Sequence, residues 1–184
     1  MSSYPTEPVF IIHAEDWQQQ KQNHPLMQYL HKHKNMFDAQ DFDACTQLYT
    51  PDFKFTKSTG ETFHGKHAVD AFHSEYEKYG SHEHEVKFGV IIDTPDGYVL
   101  WGQCDVFVDL PGHSTSKKAK DSSGRDWDCV AHLAFQLDIQ GKGDSECRYK
   151  SLRFFVNPLP VALEAIKRGL LTAEDAVHGR FSSH

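Results

Sequence analysis

The sequence predicts an α+β fold, and three observations carry that reading. Apolar residues recur at helical spacing up to about residue 79, and then at a period of two in four long stretches. Clusters of turn-forming residues separate those stretches, most clearly Thr94-Pro95-Asp96-Gly97. The length, 184 residues, suits one domain, 1–184, with a core of its own and leaves little room for two.

The elements follow in order. Residues 1 to about 24 read as a polar arm containing Gln18-Gln19-Gln20. A first helix is expected over about 25–37, where Leu26, Leu30, Met36 and Phe37 form an apolar stripe and Pro25 suits the first turn. Asp41 can cap a short second helix reaching Tyr49, with Phe42, Cys45 and Leu48 at helical spacing, before Thr50-Pro51-Asp52 stops it. Residues 53–56 and 61–64 alternate as a short hairpin around Ser58-Thr59-Gly60. A third helix over about 66–79 lines up Val69, Phe72 and Tyr76. The long strands are 82–93, 98–110, 127–138 and 148–157. The join over 111–125 is long for a hairpin and reads as a disordered loop or a flap. Gln140-Gly141-Lys142-Gly143-Asp144 turns the chain into the last strand. A C-terminal helical segment covers about 159–184, within which Thr172, Glu174 and Asp175 can start a second short helix.

Composition narrows the partners. With 39% hydrophobic and 24% charged residues the chain is an ordinary globular one, and its net charge of −7 argues against nucleic acid or an anionic membrane as partner. Lys117-Lys118-Ala119-Lys120, the one basic cluster, reads as a solvated loop. No stretch approaches the roughly 20 apolar residues of a membrane span. Cys45, Cys104, Cys129 and Cys147 are scattered without a C-x-x-C pair, as reduced thiols of a cytoplasmic protein would be.

Residues 37–43, Phe-Asp-Ala-Gln-Asp-Phe-Asp, followed by Leu48-Tyr49-Thr50-Pro51-Asp52-Phe53, resemble the entry segment of the SnoaL-like and scytalone-dehydratase-like branch of the NTF2-like superfamily. Gly60-Glu61-Thr62-Phe63-His64-Gly65 is similar to the hairpin before the third helix of that branch. The likeness covers about 25–157. It implies a cone-shaped α+β barrel, in which a curved antiparallel sheet and N-terminal helices enclose a pocket, commonly in a homo-oligomer. It also implies that His84 matches a catalytic histidine at the start of a strand, and that His132 faces the pocket. The family's pair of water-holding tyrosines has no counterpart, since the matching positions are Phe37 and the neighbourhood of Lys57. A pocket Ser–Asn pair of scytalone dehydratase appears as Val130 and His132.

Period-two alternation then sorts the faces. With His132 inside, the pocket wall carries His82, His84, Val86 and Phe88; Trp101, Gln103, Asp105 and Phe107; and Tyr149, Ser151, Arg153, Phe155 and Asn157. The more apolar opposite face would be a dimer surface; the swapped arrangement, with the mixed face outside, is the alternative. Tyr49 and Phe53 are added as substrate contacts from the helix–hairpin entry, with His64 at the pocket edge. Asp105 and Arg153 can form a cross-strand ion pair.

Asp38, His84 and His132 are the candidate catalytic groups. A buried carboxylate and imidazole can move a proton beside a carbonyl, and a second imidazole can stabilise the enolate. The expected function is therefore a dehydratase, isomerase or cyclase acting on a polyketide- or terpenoid-like carbonyl compound, with no cofactor. Thirteen histidines raise a metal question, and a site of His82, His84 and His132 is the weaker reading. A non-catalytic small-molecule-binding domain is the main alternative.

Overall fold

The computed structural model describes residues 10–112, 117–142 and 146–177. Parts of the expected arm, of the 111–125 join, of the last turn and of the C-terminal segment lie outside those residues. A seven-stranded sheet runs in the order β1-β4-β5-β8-β9-β2-β3, with β1 Phe10–His13, β2 Tyr49–Thr56, β3 Thr62–His64, β4 Ser81–Thr94, β5 Gly97–Asp109, β8 Cys129–Gln140 and β9 Arg148–Val156. A two-residue hairpin, β6 Ala119–Lys120 with β7 Asp126–Trp127, stands apart from it. All neighbours in the large sheet are antiparallel except β2 and β9, which run parallel. The sheet is open, with β1 and β3 as its edges.

Three helices pair with this sheet by the stripes that the sequence shows. α1, Pro25–Asp38, begins at Pro25 and is capped by the His24 ring, whose Nδ1 accepts from Leu26 N at 3.2 Å. It buries Leu26, Met27, Tyr29, Leu30 and Phe37. α2, Phe42–Cys45, is capped by Asp41, and α3, Lys66–Glu77, buries Val69, Phe72 and Tyr76. The helices cover one face of the sheet, and the core lies between the two layers. Gly97 closes the β4–β5 turn where only hydrogen fits, since a Cβ there would meet Ile139 O at 1.9 Å.

Two expectations change, and a third is met. The arm is not wholly loose, because Phe10–His13 pairs with β4 as an edge strand and buries Ile12. Within the 111–125 join the described residues form ion pairs instead of a solvated basic loop. Lys117 reaches Asp109 at 2.5 Å and Asp128 at 3.0 Å, and Lys118 meets Glu164 of α4, Leu159–Lys167. Arg168 completes the clamp, 2.8 Å from the buried Asp128. The start expected at Thr172 is present as α5, Ala173–Val177, with Asp175 N donating to Thr172 Oγ1 at 3.0 Å.

Candidate active site

One cavity of about 120 Å³ lies between the sheet and the helices. Its wall is largely aromatic and aliphatic: Phe37, Phe53, Phe72, Phe135, Phe154, Tyr49, Tyr149, Leu100, Leu133 and Leu137 are among the lining residues. The lining residues with polar side-chain groups are few: His33, Lys34, His84, Trp17, Cys104 and the tyrosines.

A β-bulge decides which histidines face inward. Val86 pairs with Cys104 and Phe88 with Gln103, so Lys87 is the extra residue. Beyond it His84 opposes Val106 and His82 opposes Val108, on the same face as Cys104 and Leu100. The wall of β5, β8 and β9 is thus the more apolar face, not the mixed one. His132, Trp101, Gln103, Asp105, Arg153, Phe155 and Asn157 stand on the outside of the sheet, which corrects their expected pocket-facing orientation. Trp101 is 49% exposed and Phe155 51%. The His132 side chain is 69% exposed and its Nδ1 donates to Asp105 at 2.6 Å. Asp105 pairs with His132 and with Lys87 at 3.2 Å, and the ion pair expected with Arg153 is not among its contacts. Asn157 Oδ1 accepts from Leu159 N at the start of α4. The face expected to be a dimer surface is the cavity wall. Of the expected substrate contacts, Tyr49 and Phe53 line the cavity and Phe88 borders it while 39% exposed.

Asp38 and His84 do come together. Asp38 is the last residue of α1, where the stripe Leu30, His33, Lys34, Phe37 and Asp38 delivers it to the start of β4. His84 Nδ1 donates to Asp38 Oδ1 at 2.5 Å, and the His84 backbone N–H donates to Oδ2 at 3.2 Å. Lys34 donates to Oδ2 at 2.7 Å and to Glu83 at 2.5 Å. Burial on its own would raise the Asp38 pKa, but His84 and Lys34 outweigh it and hold the carboxyl at about 2. An ionised Asp38 fixes the proton on Nδ1, so Nε2 carries the lone pair. The Tyr76 hydroxyl donates to Nε2 at 3.2 Å. Next to the dyad, His82 has a fully buried side chain whose Nε2 lies 3.8 Å from Asp38 Oδ1. Burial, reinforced by His84, lowers its pKa to about 4.

A second polar chain crosses the wall. The Tyr49 hydroxyl lies 3.2 Å from His33 Nε2 and 3.3 Å from His73 Nε2. Burial pushes His33 to about 3 and His73 to about 4, leaving both neutral. One imidazole then donates to the tyrosine oxygen and the other accepts its proton. Sequence reasoning missed His33, Lys34, Tyr76, His73 and Cys104. The signal for the first two was the helical spacing with Phe37 and Asp38, and for Tyr76 its place on the α3 stripe.

No protein-family model and no curated protein sequence matches the chain. Solved structures do. Nuclear transport factor 2 from Cryptosporidium parvum is similar with a TM-score of 0.54 and 16% identity, over 75% of this chain and 95% of that one. PrhC from Penicillium brasilianum gives 0.58 and 9%, over 83% and 95%. Aln2 from a Streptomyces species gives 0.51 and 14%, over 74% and 91%. At these identities the likeness shows the fold, which is NTF2-like.

Proposed function

We propose that the chain is a cofactor-independent acid/base enzyme that moves a proton beside a carbonyl group, as a dehydratase, isomerase or cyclase does. The observation that carries this reading is the Asp38–His84 pair at 2.5 Å, largely shielded from solvent, with His84 on the wall of an apolar cavity. Asp38 orients the imidazole and would stabilise it once protonated, and Nε2 is the nitrogen that takes the proton. Tyr76 holds that nitrogen in the free state and must yield it, or pass the proton through its own hydroxyl. The role expected for His132 in enolate stabilisation falls away with its outward position. The Tyr49 hydroxyl, placed between His33 and His73, can donate to a developing oxyanion by giving up its hydrogen bond to one imidazole.

Cavity size limits the substrate. A volume of about 120 Å³ is slightly below the roughly 150 Å³ of an apolar cavity that takes benzene. The enclosed space thus takes about one six-membered ring, and it favours a small one-ring carbonyl compound over fused multi-ring ones. The competing reading, a small-molecule-binding domain, takes its support from the predominance of apolar wall.

Exchange of carbonyl-adjacent hydrogen for deuterium in D₂O separates the two. With a panel of one-ring ketones and enones followed by NMR, the enzyme reading expects catalysed exchange. It also expects His84→Gln and Asp38→Asn to slow it by about 10²–10⁴-fold. Ligands that bind without exchange would leave the binding domain as the function.

A further inference from the structure

The acid/base reading uses two members of a three-residue cluster and leaves the third unexplained. His82 and His84 stand two apart on β4 before the bulge, so strand alternation puts both rings on the inner face. Asp38 reaches the same point from the end of α1. One donor atom from each of the three lies within 4.8 Å of the other two. The His82 side chain is fully buried, yet its Nε2 has no hydrogen-bond partner. At 3.8 Å, Asp38 Oδ1 is beyond hydrogen-bond reach. A buried imidazole nitrogen left this way is destabilising unless something else satisfies it.

We propose that Asp38, His82 and His84 bind a first-row divalent transition ion, with Zn²⁺ the best match. Two imidazoles and one carboxylate are the donor set of such ions, whereas Mg²⁺ and Ca²⁺ take oxygen ligands. Two of the three ligands, His84 and Asp38, already have the outer partner that a metal site needs. When His84 Nδ1 ligates, its Nε2–H donates to Tyr76, 3.2 Å away. The Gln40 amide nitrogen lies 3.5 Å from His82 Nδ1 and donates to Tyr79 O at 3.3 Å, so for its oxygen to accept from His82 the amide turns over and gives up the Tyr79 bond. Lys34 holds the other Asp38 oxygen at 2.7 Å, and Glu83, 2.5 Å from Lys34, offsets its charge. Bonds of about 2.0–2.2 Å place tetrahedral donors about 3.3 Å apart. The 2.5 Å His84–Asp38 contact opens and the 3.8 Å His82–Asp38 gap closes, each by less than about 1 Å under that geometry. Three protein ligands leave a position for water or for an oxygen of a molecule in the cavity, which His84 lines. The ion takes the nitrogen and carboxylate that make His84 a base, so the metal-bound and proton-transferring forms exclude one another.

The test is metal binding by the full chain, independent of any turnover. Chelator-treated protein is titrated with Co²⁺, and visible d–d bands saturating at one equivalent and displaced by Zn²⁺ are expected. His82→Gln lowers the affinity by about 100-fold or more, while His132→Gln leaves it within about twofold. In the wild-type protein with ¹⁵N-labelled histidine, one equivalent of Zn²⁺ shifts the ring signals of His82 and His84. That measurement holds even where His82→Gln fails to fold. Absent d–d bands, wild-type affinity in His82→Gln, or Zn²⁺ shifts confined to other histidines would each overturn the site. A negative deuterium-exchange result bears on the proposed reaction and leaves these signals untouched.

Discussion

His73 shows how a single side chain ties the wall of the cavity to pH. It is buried on α3, with its Nε2 at the Tyr49 hydroxyl. Burial lowers its pKa to about 4 from 6.5, against a smaller opposing pull from Asp70 and Asp43. A base whose folded pKa is depressed binds protons more readily in the unfolded chain. Its contribution to stability is therefore complete above about pH 6.5 and is lost as pH falls toward 4. The loss is on the order of 2 kcal/mol after allowance for partial solvent access. Replacing His73 with Gln, which keeps a polar partner for Tyr49, should flatten the fall in Tm between pH 7 and pH 4.5. An unchanged slope would place the acid sensitivity elsewhere, for example in His33.

At the scale of an element, the bulge at Lys87 decides the site. Without the extra residue, continuing the Ile91–Leu100 register down the hairpin would pair His84 with Phe107 and put both histidines on the outer face. Deleting Lys87 should therefore turn His82 and His84 outward, or force Ile91 and Gly89 out of the core. Tm falls in either case, and in the first the Asp38–His84 contact also breaks, read as a histidine ring signal that no longer reports a carboxylate partner. A deletion variant with native Tm and native ring signals would show that the strand absorbs the change without the bulge.

The same bulge explains what was legible. Helix stripes, the Pro25 start, the Thr94–Gly97 turn and the capping of α5 all rest on local chemistry, and the structure has each of them. Asp38 meeting His84 also follows from element order. Which face points inward depends on strand phase, and one unpaired residue reverses it with no mark in the alternation. The inner face is also the less polar one here, so a search for polar walls selects the solvent side. Phe10–His13 escaped notice because a four-residue edge strand beside a Gln-rich stretch carries little period-two signal.

At the scale of the whole molecule, the sheet and helices frame a small apolar space. Strands β4, β5, β8 and β9, the helices α1 and α3 and the turn bearing Trp17 all contribute to its wall. Such a space binds by size. A ligand at 100 times its dissociation constant adds about 2.7 kcal/mol to stability, which for a chain of this length is about 5–10 °C in Tm. One-ring ketones, enones and phenols should raise Tm by this amount, and three-ring analogues by far less, because the packed wall does not yield about another 100 Å³ without strain. Gly102→Ala supplies the control. Its added Cβ would stand 2.5 Å from the Phe135 ring, a wall residue, and displacing that ring alters the space without touching Asp38 or His84. One-ring compounds should then lose most of their stabilising effect. Equal stabilisation by one-ring and three-ring compounds, or no response to Gly102→Ala, would mean that ligands bind outside this cavity.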